Sequence, residues 1–229
     1  MIEIANTGER ILPDKETPLM VARHLSAYKL AQKYVPGKEV LDIGCGEGYG
    51  THYLSGYAKS ITGIDYNAEA VAHAGAKYVN ANTRFEAIDV KHLSALNRRF
   101  EVICCFQVIE HIDNTRDFLS AVKNLLIEDG IFICSTPNKL DASPDSAEPA
   151  NKFHVREYLV DEFSRLLQSH FSKIQMFGLK RGLKLNFYRR LKKIGLPVKG
   201  FYGRIDTANF TLTATNLASA LDFIAVCNK

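Results

Sequence analysis

The chain has 229 residues, of which 46% are hydrophobic and 24% are charged, so it carries enough apolar material for one sizeable core and a single domain is expected. No apolar run approaches the roughly 18 residues that a transmembrane helix needs, and the N-terminus lacks the basic-then-apolar order of a secretory signal. The five cysteines lie mostly inside apolar runs and form no CxxC pair. We interpret them as buried core residues of a cytoplasmic protein in a reducing compartment, not as a disulfide framework or a zinc site.

The net charge of +4 is concentrated in one segment. Residues 180–204 contain nine of the 29 Lys and Arg residues and no Asp or Glu, whereas the remaining 20 basic residues are outnumbered by the 25 acidic residues. A partner bound by electrostatic attraction to basic residues is therefore expected at this segment.

Helices and strands are predicted to alternate along the chain. In chain order, hydrophobic periodicity and turn residues predict a helix over 18–34, a strand over 38–43, a helix over 50–55, a strand over 60–65, a helix over 68–78, strands over 84–89 and 100–107, a helix over 117–126, a strand over 130–137, a loop over 138–151, a helix over 157–168, and strands over 173–179 and 223–226. This order predicts an α/β fold with seven strands in a mostly parallel sheet and helices on both faces. Ligands bind such sheets at the carboxyl ends of the strands.

The stretch VLDIGCGEGYG, at residues 40–50, places four glycines at every second position behind Asp42. Glycine loses much backbone entropy on folding, so this spacing indicates a loop that something approaches closely. A dinucleotide fingerprint would need its third glycine where Tyr49 stands, and the GK[ST] of a phosphate-binding P-loop is absent. An acid at the strand end repels phosphate and suits a ligand that carries a positive charge.

Two further acids end the next predicted strands. Asp65 closes ITGID and can accept both hydroxyls of a ribose, as acids at the second strand often do. Asp89 closes FEAID, where a carboxylate can accept the exocyclic amine of a base. Together they predict a nucleoside ligand with a positive centre and no phosphates, although turn and cap chemistry is the structural alternative for each acid.

These motifs resemble the class I S-adenosylmethionine-dependent methyltransferases, in the branch of the ubiquinone O-methyltransferases (methyltransferase type 11). The resemblance rests on VLDIGCGEGYG, ITGID, FEAID, FEVICCFQVIEHI and EDGIFICSTPN, and on the shorter GERILP, RHLSAY and NKFHVREY. It implies a Rossmann-like sheet whose last strand is antiparallel, with a helical insertion between the last two strands. It also divides the single domain 1–229 into an N-terminal helical lid (1–37), a cofactor-binding core (38–137) and a substrate-side half (138–229) that contains the basic insertion 180–220.

The resemblance implies S-adenosylmethionine as cofactor and S-adenosylhomocysteine as product. The glycine loop would approach the cofactor, Asp65 would hold the ribose, Asp89 would meet the adenine, and Gln107 would line the methionine end. Because Ala27 replaces the arginine of the subgroup's H-L-x-R-Y helix, Tyr28 or His24 would meet the methionine carboxylate. The full set of implied cofactor-binding residues is Asp42, Gly44, Cys45, Gly46, Gly48, Asp65, Tyr66, Ile88, Asp89, Gln107 and Tyr28.

Two histidines lie where the sheet edge predicts an acceptor, and histidine is the usual general base for a hydroxyl. His111 follows the fourth strand, and His154 follows the fifth strand and its loop. Both are predicted as catalytic residues; the structural alternative is that His111, with Glu110, fixes one loop and that His154 fixes the other. No metal is predicted, because helix capping explains the nearby Asp113 and Asn114.

The basic segment 180–204 contains a predicted amphipathic helix with Leu183, Phe187, Leu191 and Ile194 on one stripe. Three interpretations are open: a peripheral contact with an anionic membrane, a site for the phosphate of a lipid-linked or nucleotide sugar, and a lid over the substrate pocket with solvated charges. The lid is favoured.

The sequence therefore predicts a methyltransferase that acts on a hydroxyl of a small molecule or glycan, including a lipid-linked sugar. The alternatives are an N-methyltransferase, an RNA or DNA methyltransferase that uses 180–204 as a phosphate track, a nicotinamide-dependent oxidoreductase, and a binding module without catalysis. A nucleic-acid partner is not favoured, and the sequence makes no prediction of the oligomeric state.

Overall fold

The computed structural model describes residues 10–196, 200 and 203–229, and in these ranges eight strands form one sheet. The strands are β1 (Glu39–Ile43), β2 (Ser60–Asp65), β3 (Thr83–Ala87), β4 (Phe100–Phe106), β5 (Leu126–Pro137), β6 (Lys173–Arg181), β7 (Phe210–Thr213) and β8 (Asp222–Asn228). The helices are α1 (Pro18–Ala31), α2 (Tyr49–Ser55), α3 (Ala68–Lys77), α4 (Thr115–Leu125), α5 (Lys139–Ala142), α6 (Val160–Gln168) and α7 (Leu183–Lys193). The predicted alternation of strands and helices is confirmed.

The sheet order is β3-β2-β1-β4-β5-β8-β6-β7. Strands β1 to β5 pair in parallel, and β8 runs antiparallel between β5 and β6, as the resemblance implied. The chain moves outward from β1 to β3 and then returns to place β4 on the other side of β1. This reversal opens a crevice at the carboxyl ends of β1 and β4, which is where open α/β sheets bind their ligands.

The number of strands differs from the prediction. The structure adds β7, a four-residue edge strand inside the insertion that pairs antiparallel with β6. Its sequence, FTLT, alternates apolar and polar residues over too short a span to be distinguished from a loop by pattern alone. The insertion is therefore partly helical, through α7, and partly extended.

Some boundaries also differ from the prediction. Helix α1 ends at Ala31, three residues early, and the predicted loop after β5 contains the short helix α5. The Glu-Asp-Gly at 128–130, which follows the predicted helix 117–126 and includes the first residue of the predicted strand 130–137, belongs to β5, where the pairing with β4 shifts register. Residues 1–9 of the predicted N-terminal lid lie outside the described residues.

Side chains from alternate strand positions form cores on the two faces of the sheet. Leu41 and Ile103 belong to one buried cluster, whereas their neighbours Val40 and Val102 belong to the other. This is the expected result when helices cover both faces of a parallel sheet. All five cysteines are buried free thiols, which confirms their interpretation as core residues. None of the helices in the described ranges has the length and apolar composition needed to cross a bilayer.

Gly50, at the start of α2, is required by packing. A Cβ atom at this position would lie 2.0 Å from Cζ of Tyr28, whose buried ring cannot move aside because the helix α1 fixes it against the sheet. We expect Gly50→Ala to lower the free energy of unfolding by about 2 kcal/mol, the usual cost of overpacking a core. Urea unfolding measures this change.

The matched control is Gly75→Ala in α3, where an added Cβ meets no atom within 4 Å. This substitution should stabilise the helix slightly, because alanine has the higher helix propensity. Equal effects of the two substitutions would contradict the packing explanation for Gly50.

Candidate functional site

A cavity of about 580 Å³ lies at the carboxyl ends of the central strands. Its wall is built from the segment before α1, from α1 itself, from the loops that follow β1 to β4, and from the first half of α4. Within the described ranges, no residue after Ala121 lines this cavity. The assignment of residues 138–229 to substrate binding therefore stays a prediction, and the interpretation of the basic helix as a lid gains no support.

The glycine loop after β1 forms one wall of the cavity. Gly44, Gly46 and Gly48 all have positive φ angles, of 73°, 54° and 95°, which side chains other than glycine rarely adopt. A Cβ at Gly44 would lie 2.2 Å from the side chain of Val108, so this glycine permits contact between two loops. At Gly46 the nearest atom among the described residues, Cβ of Arg10, would be 3.9 Å away, which is an ordinary van der Waals contact and not a clash.

Gly48 has a different role from the one predicted. It is buried and does not line the cavity. A Cβ there would lie 2.7 Å from the Cβ of Ala74 and 3.0 Å from the ring of Phe85. Its lack of a side chain lets the loop pack against α3 and β3, so the glycine spacing reflects packing as well as ligand approach.

Asp65, at the end of β2, orders the glycine loop and also lines the cavity. One carboxylate oxygen accepts a hydrogen bond from the Gly46 N–H, and the other accepts one from the Asn67 N–H, each over 2.9 Å. These two bonds fix the orientation of the carboxylate. The position predicted from ITGID is therefore a carboxylate held rigidly at the cavity wall.

Asp42 lies beneath the cavity and not on its wall. It is fully buried and accepts hydrogen bonds from the Thr51 hydroxyl over 2.6 Å and from the Tyr28 hydroxyl over 3.3 Å. Burial raises the pKa of Asp42 to about 7, while these two hydrogen bonds act in the opposite direction. The predicted direct contact with the cofactor is thus replaced by a supporting role, in which Asp42 ties α1 and α2 to the end of β1.

The raised pKa of Asp42 predicts a pH-dependent stability. The folded state keeps the proton up to about pH 7, whereas an unfolded chain releases it near pH 4. The stabilisation is complete below pH 4 and is lost as the pH rises to 7, with a slope of roughly 1.4 kcal/mol per pH unit. We expect Asp42→Asn to flatten the decline in urea-unfolding free energy over this range.

The control for this measurement is Asp129→Asn, which removes an exposed carboxylate. Glu110, whose pKa burial raises to about 8, contributes a decline of the same sign and remains in both variants. An undiminished slope in Asp42→Asn would show that Asp42 is ionised in the folded protein.

Most of the other predicted cofactor-binding residues meet at the cavity. Lining residues from this set are Tyr28, Gly44, Cys45, Gly46, Asp65, Tyr66, Ile88, Asp89 and Gln107. Asp89 also accepts a hydrogen bond from the Lys91 N–H over 2.9 Å, which supports the turn interpretation of this residue. Its contact with the adenine stays a prediction. Gln107 has a positive φ of 56°, and its amide donates to the Ser135 hydroxyl over 3.2 Å.

His111 lines the cavity on a single 3₁₀ turn after β4. Its Nδ1 lies 2.8 Å from the carbonyl oxygen of Phe153, and a carbonyl can only accept, so Nδ1 carries the proton. The neutral ring then has its basic nitrogen at Nε2. In this tautomer, Nε2 is the nitrogen that can accept a proton.

Glu110 anchors the same turn from below. Its backbone carbonyl accepts N–H groups from Val155 and Arg156, and one carboxyl oxygen accepts the Thr136 hydroxyl over 3.1 Å. Burial raises the pKa of Glu110 to about 8, so the carboxyl is mostly protonated at neutral pH. Glu110 thus fixes the loop after β4, as the structural alternative predicted, and His111 nevertheless lies on the cavity wall.

His154 does not line the cavity. The Asn151 amide donates to its Nε2 over 2.9 Å, and its Nδ1 lies 2.8 Å from the buried carboxylate of Glu157. Both ring nitrogens therefore hold the 151–157 segment together. This arrangement agrees with the structural alternative for His154 and not with the predicted catalytic role, although its ring contacts that of His111 edge-on with the centroids 5.0 Å apart.

Within the described residues, one group has ligand atoms close enough to hold a metal ion. It consists of Glu110, His111 and His154, whose candidate atoms lie within 4.8 Å of one another. Both nitrogens of His154 already have protein partners, so an ion would have to displace one of them. The absence of a metal therefore stays a prediction.

Several cavity residues escaped the sequence reasoning. Arg10 and Ile11 reach the cavity from the segment before α1, and Lys91 reaches it from the turn after β3. Arg10 belongs to the motif GERILP, in which it is the only basic residue, and its Cβ is the nearest described atom to the side of Gly46 where a side chain would lie. The signal for Arg10 in the sequence was its place as a basic residue inside a motif that carries the family resemblance.

Comparison with known proteins places the chain in a family. Residues 21–180 match the family described as "Methyltransferase domain". A probable S-adenosylmethionine-dependent methyltransferase of Mycolicibacterium smegmatis is 35% identical over 71% of this chain and 63% of that protein. The ubiquinone biosynthesis O-methyltransferase of Glaesserella parasuis is 37% identical over 45% of this chain and 47% of that protein. The chain thus matches no more than 63% of the length of these two relatives.

A solved structure supports the fold. The N-methyltransferase NodS of Bradyrhizobium japonicum, in complex with S-adenosyl-L-homocysteine, superposes with a TM-score of 0.64 at 15% identity, covering 94% of this chain and 89% of that one. The resemblance read from the motifs is thereby confirmed. The chain belongs to the methyltransferase domain family, among the class I S-adenosylmethionine-dependent methyltransferases.

Proposed function

We propose that this chain methylates a hydroxyl group of a small molecule or glycan, including a sugar carried on a lipid, with S-adenosylmethionine as the methyl donor. The observation that carries the proposal is the position of His111. It lies on the wall of the cavity with its proton directed to the Phe153 carbonyl, which makes its other nitrogen the basic one.

The cavity fits the cofactor by its chemistry. The glycine loop lines the cavity at Gly44 and Gly46, where no side chain covers the backbone, and the rigid carboxylate of Asp65 lines the same cavity. A volume of about 580 Å³ is within the usual range for small-molecule sites. When bound, S-adenosylmethionine supplies a methyl group that its sulfonium sulfur has already activated.

Each part of the cofactor has a candidate partner among the wall residues. Asp65 would accept the ribose hydroxyls, and Ile88 and Asp89 would meet the adenine. Arg10 would take the methionine carboxylate, because it is the basic wall residue beside Gly46 and α1 carries alanine where the subgroup has arginine. Asp42 would act through Tyr28 and α2, since it does not reach the cavity.

Catalysis would then consist mainly of positioning and of moving one proton. An alcohol attacks an activated methyl group once it is held in line at about 3–3.5 Å, and a positioned base removes its proton during attack. His111 is placed for that second task. The turn that carries it is held by Glu110, so the base is fixed by the protein's own hydrogen bonds.

Two observations favour a hydroxyl over an amine as the acceptor. A neutral amine can attack without prior loss of a proton, so an anchored histidine is of more use to an alcohol or a phenol. In addition, the relative from Glaesserella parasuis is named as an O-methyltransferase. The oxidoreductase alternative has Tyr49 at the position of its third glycine and is not supported by the comparisons.

The test has two stages. Calorimetry should show binding of S-adenosylmethionine and S-adenosylhomocysteine and none of NAD. A panel of sugar, phenol and amine acceptors should then yield S-adenosylhomocysteine with a hydroxyl acceptor. Turnover of amines alone would overturn the hydroxyl assignment, and binding of NAD alone would overturn the methyl-donor assignment.

A further inference from the structure

Helix α7 exposes an apolar stripe. Leu183 is 91% exposed, Phe187 is 58% exposed, and Ile194, the C-cap residue that follows the helix, is 72% exposed. At about 100° per residue these positions fall within roughly 40° of one another around the helix axis. Large apolar side chains that are both exposed and aligned mark an interaction surface, unlike the single exposed residues that any protein carries.

The side of α7 opposite the stripe packs against the rest of the protein. Leu185 is 3% exposed and belongs to a cluster with Ala22 of α1 and Leu179 of β6, and Tyr188 packs against the same cluster. Leu185 lies about 200° from Leu183 around the axis. The helix therefore already has a packed face, and three of the four residues of the predicted stripe, Leu183, Phe187 and Ile194, are turned away from the protein, whereas Leu191 is half-buried.

Exposed basic side chains border the apolar stripe and continue around the helix, since Arg189 lies about 120° from Leu183 and Lys192 about 140° from Phe187 around the axis. Arg189, Arg190 and Lys193 are exposed, as are Lys184 and Lys192. The helix contains no acidic residue. Arg190 borders the stripe, because it lies about 20° from Leu183 around the axis on the side away from Phe187. The surface of α7 thus combines exposed apolar side chains with positive charges only.

We propose that the outer face of α7 is a docking surface for an anionic lipid bilayer. The stripe of Leu183, Phe187 and Ile194 would enter the boundary between headgroups and acyl chains, while Arg189, Arg190 and Lys193 would contact the anionic headgroups. A helix that lies in the interface plane needs this composition, an apolar face bordered by cations, and gains binding from both parts. The proposal does not depend on the proposed hydroxyl acceptor.

Charge complementarity favours a bilayer over a second copy of this chain. A twofold contact would bring the basic faces of two α7 helices together, and like charges repel. Nucleic acid would attract the cations but would leave the three apolar side chains in water. An anionic bilayer satisfies both parts of the surface, because its headgroups attract the cations and its acyl chains accept the apolar side chains.

The test is sedimentation of the full chain with vesicles. We expect at least about 10-fold stronger partitioning onto phosphatidylcholine vesicles with about 30% phosphatidylglycerol than onto phosphatidylcholine alone. Arg189→Glu, Arg190→Glu and Lys193→Glu together should lower partitioning by at least about 100-fold. Leu183→Ser, Phe187→Ser and Ile194→Ser together should lower it by about 10-fold or more.

Matched controls separate this surface from general charge. Lys33→Glu, Arg99→Glu and Lys173→Glu change the net charge equally at exposed positions elsewhere, and Val79→Ser removes an exposed apolar side chain from a distant surface. Both controls should partition nearly as the wild type does. All variants should still bind S-adenosylhomocysteine, which shows that they fold.

Three results would overturn the proposal: no preference of the wild type for anionic vesicles, equal partitioning of both α7 variants and the wild type, or equal losses in the α7 and control variants. Concentration-dependent dimers that the serine variant abolishes, without vesicle binding, would assign the surface to a second copy. Tight binding of a short RNA, insensitive to the serine changes and without vesicle binding, would assign it to nucleic acid.

Discussion

Asp65→Ala is expected to weaken the binding of S-adenosylhomocysteine by roughly 100-fold to 10,000-fold, since two hydrogen bonds to a charged acceptor contribute about 1.5–3 kcal/mol each. The carboxylate lines the cavity and is held there by the N–H groups of Gly46 and Asn67. Its removal takes away the proposed acceptor of two ribose hydroxyls and also loosens the glycine loop at Gly46. Isothermal calorimetry on the purified variant measures the change.

Two further variants separate these effects. Asp65→Asn keeps the size of the side chain and one acceptor oxygen, so its loss should be smaller, at about 10-fold. Glu69→Ala removes an exposed carboxylate four residues away, in the first turn of α3, and should leave affinity unchanged. Wild-type affinity in Asp65→Ala would refute the ribose assignment.

His111→Gln should slow turnover by roughly 100-fold to 10,000-fold, the usual contribution of a general base, and should leave cofactor affinity within about twofold of the wild type. Glutamine suits this test because its amide can still donate to the Phe153 carbonyl, which His111 Nδ1 contacts over 2.8 Å. The loop anchor is then preserved while the basic nitrogen is lost. The rate is measured as S-adenosylhomocysteine formed with the hydroxyl acceptor found in the panel.

The control for this prediction is His170→Gln. His170 follows α6 and does not line the cavity, so its replacement should not change the rate. A rate in His111→Gln equal to that of the wild type would make His111 a structural residue, and the hydroxyl-directed proposal would then lose its base. The cofactor measurements on Asp65 would stand in either case.

The parts of the site that follow strand ends could be predicted from the sequence. Asp65, Ile88, Asp89 and Gln107 reach the cavity because the carboxyl ends of parallel strands meet at one edge, so their place in the chain decided their place in space. The same rule explains why His111 was found. A run of apolar residues predicts where a buried strand ends, and therefore which residues follow it at the sheet edge.

Contacts between distant segments could not be predicted in this way. Asp42 resembles a cavity residue by position, but it is covered by Tyr28 from α1, a contact that depends on how a helix packs. Likewise, His154 has a plausible position along the chain, yet Asn151 and Glu157 hold both of its nitrogens. Tertiary packing decided these outcomes, and no local pattern encodes them.

The choice of face on α7 shows the same limit. Leu183, Phe187 and Ile194 form the more apolar stripe, but the protein buries Leu185 on the other side. The strand β7 was missed for a related reason, because four residues carry too little periodicity. In both cases the neighbours of the segment determined its structure more than its own composition did.

The contact between Tyr28 and Gly50 limits how ligands can enter and leave the cavity. The ring fills the space where a Gly50 side chain would lie, and the hydroxyl reaches Asp42. If α1 swung outward as a rigid flap, it would leave a void beside α2 and break the hydrogen bond from the Tyr28 hydroxyl to Asp42, and both changes cost free energy. We therefore expect helix α1 to keep its place in the cavity wall while ligands exchange; the lid role predicted for residues 1–37 stays a prediction. Exchange of ligands is expected past the segment before it, where Arg10 and Ile11 border the cavity without belonging to a helix or a strand.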